Sequence, residues 1–118
     1  MKHIKLKFRE YPIFEQIKNG SKTVETRALN PDEPERYFGN AKVGDTLECL
    51  AVDTGEMLNK KIIRVTLYED FEEYLVSEDL AKIFGSRISI EKAREKHLSF
   101  PGYKERLEKY GIIAFEIE

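Results

Sequence analysis

At 118 residues the chain is long enough for one ordinary domain and too short for two. It is 41% hydrophobic and 36% charged, which supplies a core under a heavily solvated surface and argues against wholesale disorder. The 20 Lys and Arg residues against 22 Asp and Glu give a net charge of -2, which excludes a bulk polycation but leaves a local basic face open.

A chain of this length buries roughly two thirds of its unfolded surface, so it needs no disulfide or metal to fold. It has one cysteine, Cys49. A disulfide within the chain and a zinc site of several thiolates are both excluded, and a reducing, cytoplasmic setting is expected. No apolar run approaches the ~20 residues that span a bilayer. The first residues alternate charge with apolar side chains and do not read as a signal peptide, so no membrane association is expected.

Ile4, Leu6 and Phe8 alternate with Lys5 and Lys7, the period of a half-buried strand with a basic outer face. Pro12 suits a first helical turn, Ile13, Phe14 and Ile17 share a face, and Asn19-Gly20 is a stop signal, which predicts a helix at about 11–19. Lys22 to Leu29 reads as a second strand, with Thr23, Val24 and Thr26 favouring it. Residues 30–42 hold Pro31, Pro34, Gly39 and Asn40 among charges, a loop long enough to suspect a role.

A third strand is expected at 46–53, where Cys49 should be a small buried hydrophobe. Thr54-Gly55-Glu56 reverses the chain, and Ile63, Val65 and Leu67 alternate with Arg64, Thr66 and Tyr68 in a fourth strand ending near 68. Six acids and no bases occupy 69–79, while Phe71, Tyr74 and Leu75, then Leu80, Ile83 and Phe84, recur at helical spacing. These predict two short helices with an acidic solvent face. Ser89 caps a further helix with Glu91 in its first turn, running to about His97. Phe100-Pro101-Gly102 breaks it, Tyr103 to Lys109 makes another helical turn or two, and Ile113, Phe115 and Ile117 form a last strand.

The order reads β-α-β-loop-β-β-α-α-α-β, with no internal repeat. The expected fold is α+β: one domain over 1–118, a small, curved, mixed or antiparallel β-barrel flanked by short helices. Its core should include Ile4, Leu6, Phe8, Ile17, Leu47, Ile63, Val65, Leu67, Ile113 and Phe115. No Rossmann-type glycine fingerprint follows any strand, and no cofactor is expected. His3 and His97 lack partners at metal-ligand spacing, so no metal is expected.

The chemistry concentrates in Gly20-Ser21-Lys22-Thr23-Val24-Glu25-Thr26-Arg27. In a regular strand Glu25 and Arg27 share a face and Lys22 takes the other, but Lys22 stands at the strand entrance, where a loop can swing it round. Converging, the three make a neutralised polar cluster: an anion-binding arginine, a proton-accepting carboxylate and a lysine of tunable pKa. The competing reading is a solvated strand face.

The stretch matches Gly-x-Lys-x-x-Glu-x-Arg and resembles the signature of the ASCH domain family. Lys42-Val43-Gly44-Asp45, Pro101-Gly102-Tyr103 and Tyr110-Gly111-Ile112-Ile113-Ala114 resemble the family's later segments in order, so the likeness covers nearly the whole chain and suits a stand-alone prokaryotic member. It implies the fold of PUA-like RNA-binding domains, with a cleft beside the motif.

Two functions follow from that likeness. The first is binding of single-stranded RNA or a nucleoside or nucleotide, with Arg27, Tyr103 and Lys104 as ligand-binding residues. From Gly85 to Tyr110 seven bases stand against four acids, with His97 in addition, and Tyr103 and Tyr110 lie among them. Tyr37 and Phe38 add aromatics in the long loop. The second is catalysis, with Lys22 and Glu25 as catalytic residues. Small bacterial ASCH proteins include amidohydrolases acting on N4-acetylcytidine through a lysine, a threonine and a glutamate. The lysine falls on Lys22, but the threonine falls on Glu25 and the glutamate on Gly85, with Glu78 and Glu91 as neighbouring acids. Thr23 and Thr26 are the nearby hydroxyls. A ribonuclease using Lys22 and Tyr103 is the further alternative.

Overall fold

The computed structural model describes residues 2–34 and 37–118. Among the described residues there are five strands, β1 (His3–Phe8), β2 (Val24–Ala28), β3 (Thr46–Ala51), β4 (Met57–Tyr68) and β5 (Ile112–Ile117), and five helices. These are α1 (Tyr11–Asn19), α2 (Phe71–Ser77), α3 (Leu80–Phe84), α4 (Ile90–Leu98) and α5 (Tyr103–Tyr110). Four helices separate β4 from β5 where the sequence order gave three, because Tyr103 to Tyr110 completes a helix of eight residues.

The strands form one sheet in the order β1-β3-β4-β5-β2. It is mixed: β1 runs parallel to β3, and the other neighbours are antiparallel. The hinge of the sheet is β4. Its first half, through Lys61, pairs with β3, and its second half, from Ile62, pairs with β5. The register shifts between Ile62 and Arg64, and a bulge of this kind bends a strand and increases its twist. The sheet therefore curls into a half-barrel with β1 and β2 at its edges.

That bulge corrects the expected core. Ile62, not Ile63, is fully buried, and Ile63 is 40% exposed. Leu67 is 55% exposed because β3 does not extend beside that half of β4 and nothing covers it there. Val65 and Ile4 pack at the edge of the core, while Leu6, Phe8, Ile17, Leu47, Ile113 and Phe115 are buried as expected.

Apolar side chains occupy both faces of the sheet. On the inner face Leu6, Leu47, Ile62 and Phe115 pack against Phe14 and Ile17 of α1. On the outer face Val24, Ala28, Ile112 and Ala114 pack against Tyr74, Leu75, Ile83, Ala93 and Leu107 of the four later helices. The β5 run is continuously apolar through Phe115 because alternate residues serve opposite cores. Gly111 lets α5 turn into it: φ is +87°, and a Cβ there would stand 2.2 Å from the Tyr68 carbonyl oxygen.

Candidate functional site

Strand β2 is an edge strand, and the motif is built along its open side. The Thr23 carbonyl accepts from Ile117 N–H and the Leu29 N–H donates to the Gly111 carbonyl, so the odd residues of β2 pair with β5. Backbone groups of Val24, Thr26 and Ala28 then face away from the sheet. Side chains satisfy them in turn. Lys22 Nζ donates to the Val24 carbonyl at 3.1 Å, Glu25 Oε1 accepts from Thr26 N–H at 2.8 Å, and the Tyr103 hydroxyl accepts from Ala28 N–H at 3.1 Å. Capping by side chains keeps an edge strand from pairing with another chain.

Lys22 reaches this edge from the loop before β2, as the strand-entrance position allowed. Its ammonium also donates to the Ile83 carbonyl at the end of α3, at 2.6 Å, and lies 3.7 Å from Glu25 Oε1. Both side chains are more than nine-tenths buried. Arg27 shares the Glu25 face, and its guanidinium approaches Glu25 Oε2 at 3.9 Å and lies 5.5 Å from the centre of the Phe8 ring. Lys22, Glu25, Arg27 and Tyr103 therefore meet along one strand edge, while Lys104 stands exposed on α5.

Two groups are left over once the edge is capped. Glu25 Oε2 is buried and has no hydrogen-bond partner. The Arg27 guanidinium, 30% exposed, makes no hydrogen bond among the described residues and approaches that oxygen only to 3.9 Å. A buried carboxylate oxygen without a donor is costly, and beside it stands a cation open to the surface. Lys22 also borders a shallow open recess with Thr23, Lys60, Lys82 and Glu116.

The residues considered for hydrolysis are arranged less favourably. Thr26 lies on the opposite face of β2 from Glu25 and is buried there. Glu78 is buried, but both its oxygens are taken by Arg64 at 2.8 and 2.9 Å and one also by the Tyr68 hydroxyl. Glu91 is exposed in the first turn of α4, and Gly85 ends α3 in the left-handed conformation. Burial pushes the Cys49 thiol up to about 12, with the Glu25 charge adding to it, so this side chain is an apolar filler of the inner core.

The wider surface also differs from the sequence reading. His97 is buried, and desolvation lowers its pKa despite the hydrogen bond to the Ala93 carbonyl, so it adds no charge to the basic segment. Phe38 packs edge-on against Phe115, and Tyr110 donates to Asp32. Arg94 is paired with Glu72 across α2 and α4, which neutralises part of the acidic run. The sequence had no signal for Phe8 under Arg27, or for Ile83 as an acceptor of Lys22, because both contacts join distant elements. The long loop after β2 includes residues 35 and 36, which lie outside the described residues.

Among the described residues no helix is long and apolar enough to cross a membrane, and no group of three or more His, Cys, Asp or Glu side chains is placed to hold a metal ion. No family model matches the chain, and no curated protein matches it. Solved structures do. The crystal structure of the hypothetical protein PH0355 is similar with a TM-score of 0.72 and 28% identity, covering 100% of this chain and 98% of that one. The solution NMR structure of protein PF0455 from Pyrococcus furiosus is similar with a TM-score of 0.66 and 23% identity, covering 98% of this chain and 96% of that one. The chain thus shares its small α+β half-barrel fold with these proteins over nearly its whole length.

Proposed function

We propose that this chain is an ASCH-type protein of PUA-like fold that binds single-stranded RNA or a nucleotide at the open side of β2. The observation that carries the reading is the pair left over from edge capping: an unpartnered, buried Glu25 oxygen 3.9 Å from the Arg27 guanidinium. A site for a bare anion has no use for a carboxylate acceptor. A nucleotide answers both groups, because its base supplies N–H donors and its phosphate takes a guanidinium through two hydrogen bonds. Lys22 holds Glu25 in place and adds a second positive charge beneath it.

The alternative, hydrolysis of an acylated nucleoside such as N4-acetylcytidine, or of RNA, places less on Lys22. Two of its three N–H bonds already go to carbonyl oxygens, so it is better disposed as a fixed cation than as a base. The free Glu25 oxygen is the group that would accept a proton from water.

Titration of a short single-stranded RNA at several salt concentrations tests the binding reading. Each phosphate contact should contribute about -0.7 to the slope of log affinity against log salt. Arg27→Ala should weaken binding most and flatten that slope. Glu25→Gln, which keeps the side chain's shape, should weaken binding less. Undetectable affinity at low salt, or affinity indifferent to salt and to Arg27→Ala, sinks the nucleic-acid reading and leaves the hydrolase reading in its place.

A further inference from the structure

The corner between α4 and α5 presents an aromatic surface that the edge-strand site does not use. Phe100 is 52% exposed, although a phenylalanine ring ordinarily buries most of its area. It is not loose. Its ring lies against Tyr103 with centroids 5.3 Å apart. The Arg106 guanidinium lies over the same Tyr103 ring, also at 5.3 Å, and is pinned there by donating to the Pro101 and Gly102 carbonyls at 2.8 and 3.2 Å.

Three properties of this corner point to one kind of occupant. The first is rigidity: Tyr103 is anchored at its far end, where its hydroxyl accepts from Ala28 N–H, and Arg106 is locked by the turn. The second is positive charge. Arg106 donates its hydrogen bonds to the Pro101 and Gly102 carbonyls, which are neutral, and Lys104 is exposed on the same helix. The third is position. The Tyr103 hydroxyl reaches the backbone N–H of Ala28, the residue that follows Arg27, so the corner adjoins the strand that carries the edge-strand site. A flat apolar face flanked by cations, next to a phosphate-binding arginine, fits a stacked base on a charged backbone. A protein partner would need an acidic apolar surface and would have no use for the adjoining Glu25 acceptor.

We propose that Phe100, propped on the Tyr103 ring that Arg106 also covers, with Lys104 exposed on the same helix, is a stacking platform for an unpaired base of single-stranded RNA whose neighbouring phosphate lies at Arg27. This rests on the nucleic-acid reading of the Arg27 site and adds the place where the strand goes next.

The experiment uses the full chain and a short single-stranded RNA carrying one 2-aminopurine, followed by anisotropy for affinity and by base fluorescence for stacking. Phe100→Ala should weaken binding by about tenfold and restore 2-aminopurine fluorescence, with the salt slope unchanged. Phe100→Trp should retain both signals, and Phe100→Leu, apolar but without a ring face, should behave like Phe100→Ala. The same sequence as a duplex should bind without Phe100 dependence. Because the ring is half in water, melting curves of all three variants should overlie the wild type. The Leu variant guards the test if the Ala variant folds poorly. If Arg27→Ala abolishes the salt slope while every Phe100 variant binds like wild type, the platform is refuted and the Arg27 site stands. If the wild type binds no RNA, both fall. RNA affinity that survives Phe100→Ala, with self-association that does not, would assign the ring to contacts between copies of the chain and overturn the proposal.

Discussion

A buried histidine stands directly behind the motif strand. The Ala93 carbonyl can only accept, so His97 Nδ1–H donates to it at 2.7 Å and the Tyr74 hydroxyl donates to Nε2 at 3.0 Å. Phe71, Tyr74 and Phe84 surround the ring at 5.4 to 5.5 Å. The Tyr74–His97 bond thus ties α2 to α4 in the core packed against β2, the strand that carries Glu25 and Arg27. Burial lowers the His97 pKa, the Ala93 bond raises it, and Lys22 lowers it further. In the unfolded chain the same histidine binds a proton near pH ~6.5. The folded state therefore holds fewer protons below that point. The stability contributed by neutral His97 is complete above pH ~6.5 and is lost as pH falls towards the lower folded pKa. Thermal melts between about pH 7 and about pH 5 should show a decline that becomes shallower in His97→Gln, whatever that variant's absolute melting temperature. An unchanged slope would show that His97 is not held neutral. The motif's charges could be read from the sequence because they lie within six positions. The Tyr74–His97 pair could not, because it joins two helices across 23 positions of sequence.

At the scale of elements, the signals that were legible were local ones. Ser89 Oγ accepts from Lys92 N–H, Asp79 caps α3 and Asp70 caps α2, each within three residues of its partner. The anchor between α2, α3 and the sheet is not local. Arg64 on β4 donates two hydrogen bonds to Glu78, one to Glu116 on β5 and one to Thr66, and Tyr68, beyond Thr66 on the same face, closes on Glu78. Read from sequence, Glu78 was one of six acids on a solvent face, whereas its side chain is 3% exposed. Burial pushes its carboxyl up, but the Arg64 guanidinium and the Tyr68 hydroxyl outweigh that and leave it below the usual range. The bulge makes this possible, since it turns Arg64 towards the helices. Removing either partner strands the other: Arg64→Ala leaves a buried carboxylate unmatched, and the loss should be about 3 kcal/mol. Arg64→Ala with Glu78→Ala should cost clearly less than the sum of the two alone, as for any directly coupled pair. Additive losses in denaturant melts would remove the clamp from the account.

At the scale of the whole molecule, the radius of gyration is 13.4 Å, which matches about 13–14 Å for a compact chain of this length. The alternation at Leu6–Phe8 was legible because β1 faces a core at every second residue. The two-sided character of the sheet was harder to see, because in β5 every residue through Phe115 is buried and alternation disappears. Shared strands of this kind decide how the molecule unfolds. Phe115 belongs to the inner core and Leu107 to the outer one, and β5 alternates between them, with Ile113 on one side and Ala114 on the other. Neither layer can loosen without exposing the opposite face of the same strand. Phe115→Ala should therefore cost about 3–5 kcal/mol and Leu107→Ala about 2–5 kcal/mol, each shifting one cooperative transition. Near-ultraviolet and far-ultraviolet circular dichroism should report the same midpoint in both variants. A Leu107→Ala protein whose helices melt at lower denaturant than its sheet would show instead that the helical layer is a separable unit, and that the edge-strand site can lose its Tyr103 cap while the half-barrel stays folded.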